Sequence, residues 1–113
     1  MGRGPLSVQA VENKTGIVSV FDYGNDRQGV VLAIRDCWNY GGHLLGKKQG
    51  QVASVPFECN TGNTSRNILR EIKKFFEGGP APVELDVTFE GLAMMLAARK
   101  AITRRKAVEI PKL

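Results

Sequence analysis

Residue types that build metal sites, disulfide frameworks and acid–base catalysts are scarce in this sequence. It contains two cysteines and one histidine. Cys37 and Cys59 are too few for a disulfide framework and lack the spacing of metal ligands, so we expect free thiols in a reducing compartment, with a bridge between them as the alternative. No apolar run approaches the ~20 residues of a membrane span, and the first residues lack the apolar core of a secretory signal. These absences favour a cytoplasmic protein with no membrane partner.

The composition that remains is that of a globular protein with a basic excess. Of the 113 residues, 42% are hydrophobic and 24% are charged, which suits one domain, residues 1–113, with a modest core. Sixteen basic and eleven acidic residues give a formal net charge of +5. Such a charge is compatible with a nucleic-acid partner without requiring one.

The first half of the chain predicts antiparallel strands. Runs rich in β-branched and aromatic residues are separated by Gly, Asn and Asp, as in hairpins. A turn is predicted at Asn13–Gly16 and another at Gly24–Arg27, and a second hairpin is predicted about Lys47–Gly50. The predicted strands are Leu6–Glu12, Ile17–Tyr23, Gly29–Trp38, His43–Gly46 and Gln51–Phe57.

The second half predicts two helices and a closing strand. Thr64 or Ser65 can cap the first helix, and Gly78-Gly79-Pro80 ends it. Its apolar residues follow a period of 3.6 residues and form one stripe: Ile68, Leu69, Ile72, Phe75 and Phe76. The second helix begins near Asp86 or Thr88. Its predicted face consists of the apolar residues Phe89, Leu92, Met95, Leu96 and Ile102, with Arg99 as the one charged member. Ala107–Ile110 is the closing strand.

These elements predict an α+β fold: an open, mainly antiparallel sheet with two helices packed on one face. The central strands carry apolar residues on both alternating sets, so the face without helices needs a cover. We expect a homo-oligomer that forms through this sheet. The candidate residues for the oligomer face are Val18, Val20, Val31 and Ala33.

The stretch Thr64–Pro111 resembles the end of the C-terminal domain of Gfo/Idh/MocA oxidoreductases, the glucose–fructose oxidoreductase and inositol dehydrogenase family. Gly79–Val83 corresponds to the family's GxPxPV connector, and Lys106–Pro111 to its basic turn and final strand. The strands from Gly16 to Ala53 follow the family's sheet more loosely. The resemblance implies a substrate-side and oligomerisation domain of an NAD(P)-dependent enzyme that acts on a sugar or polyol.

The resemblance covers only the later part of a family member. The N-terminal Rossmann domain, with its Gly-rich strand–turn–helix for the dinucleotide, has no counterpart here. The family's Glu-Lys-Pro motif, with its catalytic lysine, is also absent. We therefore assign no catalytic, cofactor-binding or metal-binding residue. The chain alone is expected to be inactive and to bind neither NAD nor NADP, and the parent enzyme's Rossmann domain is the partner that the resemblance implies.

Three residues at or after the end of the predicted third strand are candidates for a substrate cleft. Trp38 and Tyr40 could stack on a sugar ring, and His43 could exchange a proton. Packing of the aromatic residues and a loop position for the histidine are the structural alternatives. A weaker alternative is a small stand-alone enzyme that pairs His43 with a carboxylate such as Asp36.

A basic cluster at the end of the second helix offers a different function. Cations stabilise a helix C-terminus through its dipole, and lysines and arginines also bind phosphates. The alternative hypothesis is thus a small nucleic-acid-binding module that uses the helix 85–106. No aromatic residue interleaves the cluster, as a single-strand binder would prefer, so a nucleic-acid partner is disfavoured. The cluster consists of Arg99, Lys100, Arg104, Arg105 and Lys106.

Overall fold

The computed structural model describes residues 3–59 and 61–112, which form two compact units. Unit 1 contains residues 3–36 and 83–112, and unit 2 contains residues 37–59 and 61–82. The strands are β1 (Ser7–Glu12), β2 (Gly16–Asp22), β3 (Gln28–Ile34), β4 (Gly41–Lys48), β5 (Gln51–Glu58) and β6 (Val108–Glu109). The helices are α1 (Thr64–Phe76) and α2 (Leu85–Arg104).

Unit 1 contains a four-stranded antiparallel sheet in the order β3-β2-β1-β6. The predicted turn between β1 and β2 is confirmed. Asn13 Oδ1 accepts the backbone N–H groups of Thr15 at 2.8 Å and Gly16 at 3.1 Å, which closes the turn through a side chain. Gly16 is required there, because a Cβ would lie 2.1 Å from the carbonyl oxygen of Ala33 on β3.

The core of unit 1 lies where α2 packs against β1 and β6. Ala93, Ala97 and Ala101, spaced four residues apart, form the buried stripe of the helix. Their methyl groups allow the helix backbone to approach the sheet closely, where it meets Val8 and Ala10 of β1. Phe21, Tyr23 and Ile110 complete this core.

The predicted apolar face of α2 was wrong. Phe89, Leu92, Met95 and Leu96 are exposed, and only Ile102 of the predicted set is partly buried against the core. Hydrophobicity alone predicts burial of the helix face that carries the larger side chains. The helix instead buries its alanine face against the sheet, because small residues fit a close helix–sheet contact.

Unit 2 contains the predicted second hairpin, β4-β5, followed by α1. The α+β class with antiparallel strands is confirmed, but the strands belong to two sheets rather than one. The expected burial of the α1 stripe on a sheet was wrong, since none of its residues is buried and Phe76 is 81% exposed. A two-stranded hairpin is too narrow to cover the apolar face of a helix.

At two element ends the structure shows why the prediction was wrong. The N-cap of α1 is Asn63 and makes no side-chain cap bond, while Thr64 Oγ1 donates to the Thr61 carbonyl at 2.9 Å, so the predicted cap was wrong. β3 ends at Ile34 instead of Trp38, because Asp36 has a left-handed φ of 57° that turns the chain. The predicted glycine stop after α1 is confirmed, with a φ of 91° at Gly78.

Enlarging the alanine stripe tests which face of α2 is buried. We expect Ala97→Leu to lower the free energy of unfolding by about 1–3 kcal/mol, because the larger side chain must displace the sheet or adopt a strained rotamer. Leu96→Ala is the matched control at a position that is 59% exposed. It should change the free energy by less than about 0.5 kcal/mol. Urea denaturation measures both values, and a larger loss for the Leu96 variant would contradict this packing.

Candidate functional site

Two of the three predicted cleft residues meet at one cavity of unit 2. Trp38 and Tyr40 line a cavity of about 200 Å³ at the open end of the β4-β5 hairpin. The N–H of Cys59 donates to the Tyr40 carbonyl at 2.7 Å, which extends the hairpin ladder and holds the two segments together. Trp38 is 80% exposed, so its ring faces solvent rather than a core.

Glu58 also lines this cavity and is a candidate residue that the sequence reasoning missed. It lies opposite Gly41 in the hairpin register and lines the cavity together with Asn39. A carboxylate and an amide beside exposed aromatic rings suit a ligand with hydroxyl groups and an apolar ring face. The volume is below the ~300–1,000 Å³ of typical ligand pockets, so the cavity can enclose only part of a sugar.

His43 does not line this cavity. Its Nδ1 lies 3.1 Å from Ser54 Oγ across the hairpin, and the two side chains are exposed. Asp36, the carboxylate proposed for it, belongs to unit 1, and the described hydrogen bond of His43 is the one with Ser54. Among the described residues no carboxylate bonds the ring, so the pair lacks the third member that orients a catalytic histidine.

The four candidates for the oligomer face lie on two different faces of the unit 1 sheet. Residues directly opposite in neighbouring strands share a face. Val18 pairs with Leu32 and Val20 with Val30, and these four lie on the face opposite α2. Val31 pairs with the buried Ser19, so Val31 and Ala33 lie on the side that α2 covers. The sequence could not separate the two sets, because their orientation depends on the strand register.

The face of the sheet opposite α2, here called the open face, is mainly apolar, with Gln9 of β1 as a polar member opposite Val20. Val18 and Val20 of β2 lie at its centre, next to β1 on one side and β3 on the other. Leu32 is 61% exposed, and its neighbours on β3 are also exposed. The apolar members of the open face are Val11, Val18, Val20, Val30, Leu32 and Ile34.

The basic cluster lies at the C-terminal end of α2 in unit 1. All five cations are exposed. In the part of the chain that the structure describes, none of them takes part in an ion pair, whereas Lys73, Lys74, Arg3 and Arg35 each do. The cluster therefore offers unneutralised positive charge to a partner.

The other end of α2 holds a polar cluster. Arg3 donates to Asp86 at 3.0 Å and approaches Glu90 at 3.5 Å. The hydrogen bond from Arg3 holds the pKa of Asp86 below its usual value. Nearby, burial raises the pKa of Tyr23, whose ring lies 4.5 Å from the Arg27 guanidinium. The two contacts of Arg3 link this residue to the first two turns of α2.

Arg3→Ala is expected to raise the pKa of Asp86 toward that of an ordinary aspartate, about 3.9. Because the folded-state pKa is the lower one, the contribution of Asp86 to stability is complete above the unfolded-state pKa and is lost as the pH falls through the folded-state pKa. An NMR titration of the Asp86 carboxyl carbon measures the change. Lys74→Ala removes another exposed, ion-paired cation and should leave Asp86 unaffected, whereas an unchanged pKa in Arg3→Ala would contradict the assignment.

The described residues contain no group of three or more His, Cys, Asp and Glu side chains that could hold a metal ion. Both cysteines are unbridged and exposed, as predicted. Of the helices in residues 3–59 and 61–112, neither has the length and apolar character that crossing a membrane requires. Comparisons with protein-family models, with curated proteins and with solved structures gave no match.

Proposed function

We propose that the chain is the substrate-side and oligomerisation part of an NAD(P)-dependent oxidoreductase similar to the Gfo/Idh/MocA family. In the intact enzyme it acts on a sugar or polyol, in the cytoplasm, beside the parent enzyme's Rossmann domain. The observation that carries the proposal is the open face of the unit 1 sheet. The residue pattern of Thr64–Pro111 supplies the link to the family.

The open face supports the oligomerisation role. Six apolar side chains from three neighbouring strands lie together on it, and α2 covers only the opposite side of the sheet. Soluble monomers rarely expose contiguous apolar patches above a few hundred Å². A second copy supplies an identical face, so a two-fold contact would cover both at once.

The cavity at Trp38 and Tyr40 supports the substrate-side role. An exposed indole ring can stack on the apolar face of a sugar, while Glu58 can accept hydrogen bonds from its hydroxyl groups. The small volume fits a chain that contributes one wall of a cleft. Unbridged, exposed cysteines also fit the reducing conditions of the cytoplasm.

The residues described here do not fit a dinucleotide, so hydride transfer is assigned to the rest of the parent enzyme. A dinucleotide site uses a parallel strand–helix–strand unit with a helix N-terminus at the pyrophosphate. Every strand pair in the described residues is antiparallel. Glu84, Asp86 and Glu90 near the N-terminus of α2 outnumber Arg3, the cation that pairs with two of them, so the local charge opposes an anion.

Lysine at the centre of the open face is expected to dissociate the oligomer. Val18→Lys introduces one charge on each side of a two-fold contact, and both must be desolvated. Light scattering at tens of micromolar should show an oligomer for the natural chain and a monomer for the variant, with unchanged circular dichroism. Val52→Lys on the exposed hairpin of unit 2 is the control and should leave the oligomer intact. A monomeric natural chain would overturn the oligomerisation role.

Titration calorimetry with NAD and with NADP tests whether dinucleotide binding belongs to the rest of the parent enzyme rather than to this chain. We expect no binding to this chain, because residues 3–59 and 61–112 provide no strand–turn–helix whose backbone N–H groups could bind the pyrophosphate. Micromolar affinity for either dinucleotide would contradict the proposal. The coding sequence directly upstream gives an independent test, since the proposal requires a Gly-rich strand–turn–helix encoded in frame or by a partner gene.

The alternative function is a nucleic-acid-binding module that uses the end of α2. The five exposed and unpaired cations favour it. Binding of a single-stranded oligonucleotide to this chain tests the alternative directly.

A further inference from the structure

β1 extends beyond the strand that covers its edge. β6 pairs only with Ser7 and Val8, whereas β1 continues to Glu12. In an antiparallel ladder the backbone groups of alternate residues point to the same neighbour. The N–H of Ile110 donates to the Leu6 carbonyl on the β6 side, so the groups of Ala10 and Glu12 point to that side as well.

The backbone groups of Ala10 and Glu12 are therefore directed at a free edge. No hydrogen bond is described for them, while Asn13 pairs with Gly16 on the other side of β1. Residues i and i+2 of a strand lie about 7 Å apart. The backbone N–H and C=O groups on one edge of any extended peptide recur at the same distance. This edge can accept a further strand in line with β6.

A cavity of about 690 Å³ runs along this free edge. One wall is β1 from Gln9 to Glu12, and the other is the end of α2, where Ile102 and Arg105 are followed by Lys106. Its volume falls within the ~300–1,000 Å³ range of ligand sites. All the lining residues belong to unit 1. We call this cavity the strand slot.

The charge of the strand slot is positive. Arg105 and Lys106 are exposed, and no ion pair is described for either. The acidic residue of the slot, Glu12, is already neutralised by Arg35 at 2.5 Å. An incoming segment thus meets two unpaired cations and no free carboxylate partner, which favours an acidic segment.

Arg105 is also held in a costly backbone conformation. It directly follows α2 with φ 51° and ψ 36°, the left-handed region in which glycine usually ends a helix. This conformation is less favourable for an L-residue with a Cβ than for glycine. Arginine nevertheless occupies the position, which lies in the wall of the slot.

We propose that the strand slot binds an extended acidic segment of a partner protein, which adds to β1 as a strand beyond β6. The partner's backbone pairs with Ala10 and Glu12, an apolar side chain packs on Ile102, and a carboxylate binds Arg105 and Lys106. Strand addition of this kind takes its affinity from main-chain bonds and its specificity from side-chain contacts. The slot lies at the edge of β1 and shares Val11 with the apolar members of the open face.

The charge contact is tested with a fluorescein-labelled heptapeptide that alternates valine with threonine and ends in two aspartates. Its binding is measured by fluorescence anisotropy at low and at physiological ionic strength. Arg105→Gly should raise the melting temperature by roughly 2–5 °C, because glycine relieves the backbone. It should also weaken binding roughly 5- to 20-fold through the lost charge-assisted bonds. Lys106→Gln should weaken binding likewise, whereas the control Lys100→Gln, outside the slot, should change it less than about twofold.

Two outcomes of this titration overturn the proposal. One is equal affinity for a probe in which asparagines replace the aspartates. The other is unchanged binding by Arg105→Gly and Lys106→Gln, whose melting temperatures show whether the fold is kept. A single-stranded oligonucleotide that binds more tightly than the peptide and displaces it would assign the slot to nucleic acid, and this also overturns the proposal.

Two N-methylated versions of the same probe test the strand pairing. Methyl groups on one alternating set of amides block the bonds to Ala10 and Glu12, and methyl groups on the other set point away from β1. We expect one version to lose binding and the other to retain it within about threefold. Equal affinities of the two versions, whether high or low, would contradict strand addition.

Discussion

The close contact between the alanine stripe of α2 and β1 is the constraint on which the rest of unit 1 depends. Ala101 is fully buried, and Ala93 and Ala97 are nearly so. Because methyl groups fill this contact, the helix lies near the sheet and its larger apolar residues remain outside. This contact covers one side of β1 and β6, and the open face lies on the other side of the sheet. The exposure of the larger apolar residues of α2 thus follows from the size of three side chains.

The sequence predicted the local structure better than the packing. The Asn13–Gly16 turn and the glycine stop after α1 depend on a few adjacent residues, so their chemistry can be recognised without the fold. The buried face of α2 depends on its distance from the sheet, which no periodicity reports. The apolar stripe of α1 is real as a pattern, but unit 2 contains no sheet broad enough to bury it.

The candidate site shows the same limit. Trp38 and Tyr40 were identifiable as aromatic residues in a short loop, and they do line one cavity. Glu58 was not identifiable, because it lies seventeen positions after Gly41 in the chain and only the hairpin register places the two residues opposite each other. His43 is near in sequence, but its described bond is with Ser54 on the next strand. Strand register, rather than sequence proximity, decides which side chains share a site.

Unit 1 is discontinuous, since residues 37–82 are inserted between its two segments. Ser7 on β1 pairs with Glu109 on β6, so the last strand must find a partner near the start of the chain. Bringing distant segments together slows folding, because the loop closes before its contacts form. The entropy of closure grows only with the logarithm of loop length, and doubling the loop costs about 0.6 kcal/mol. The stability of unit 1 is therefore largely insensitive to the size of unit 2, which can vary in length while the sheet that it interrupts keeps its fold.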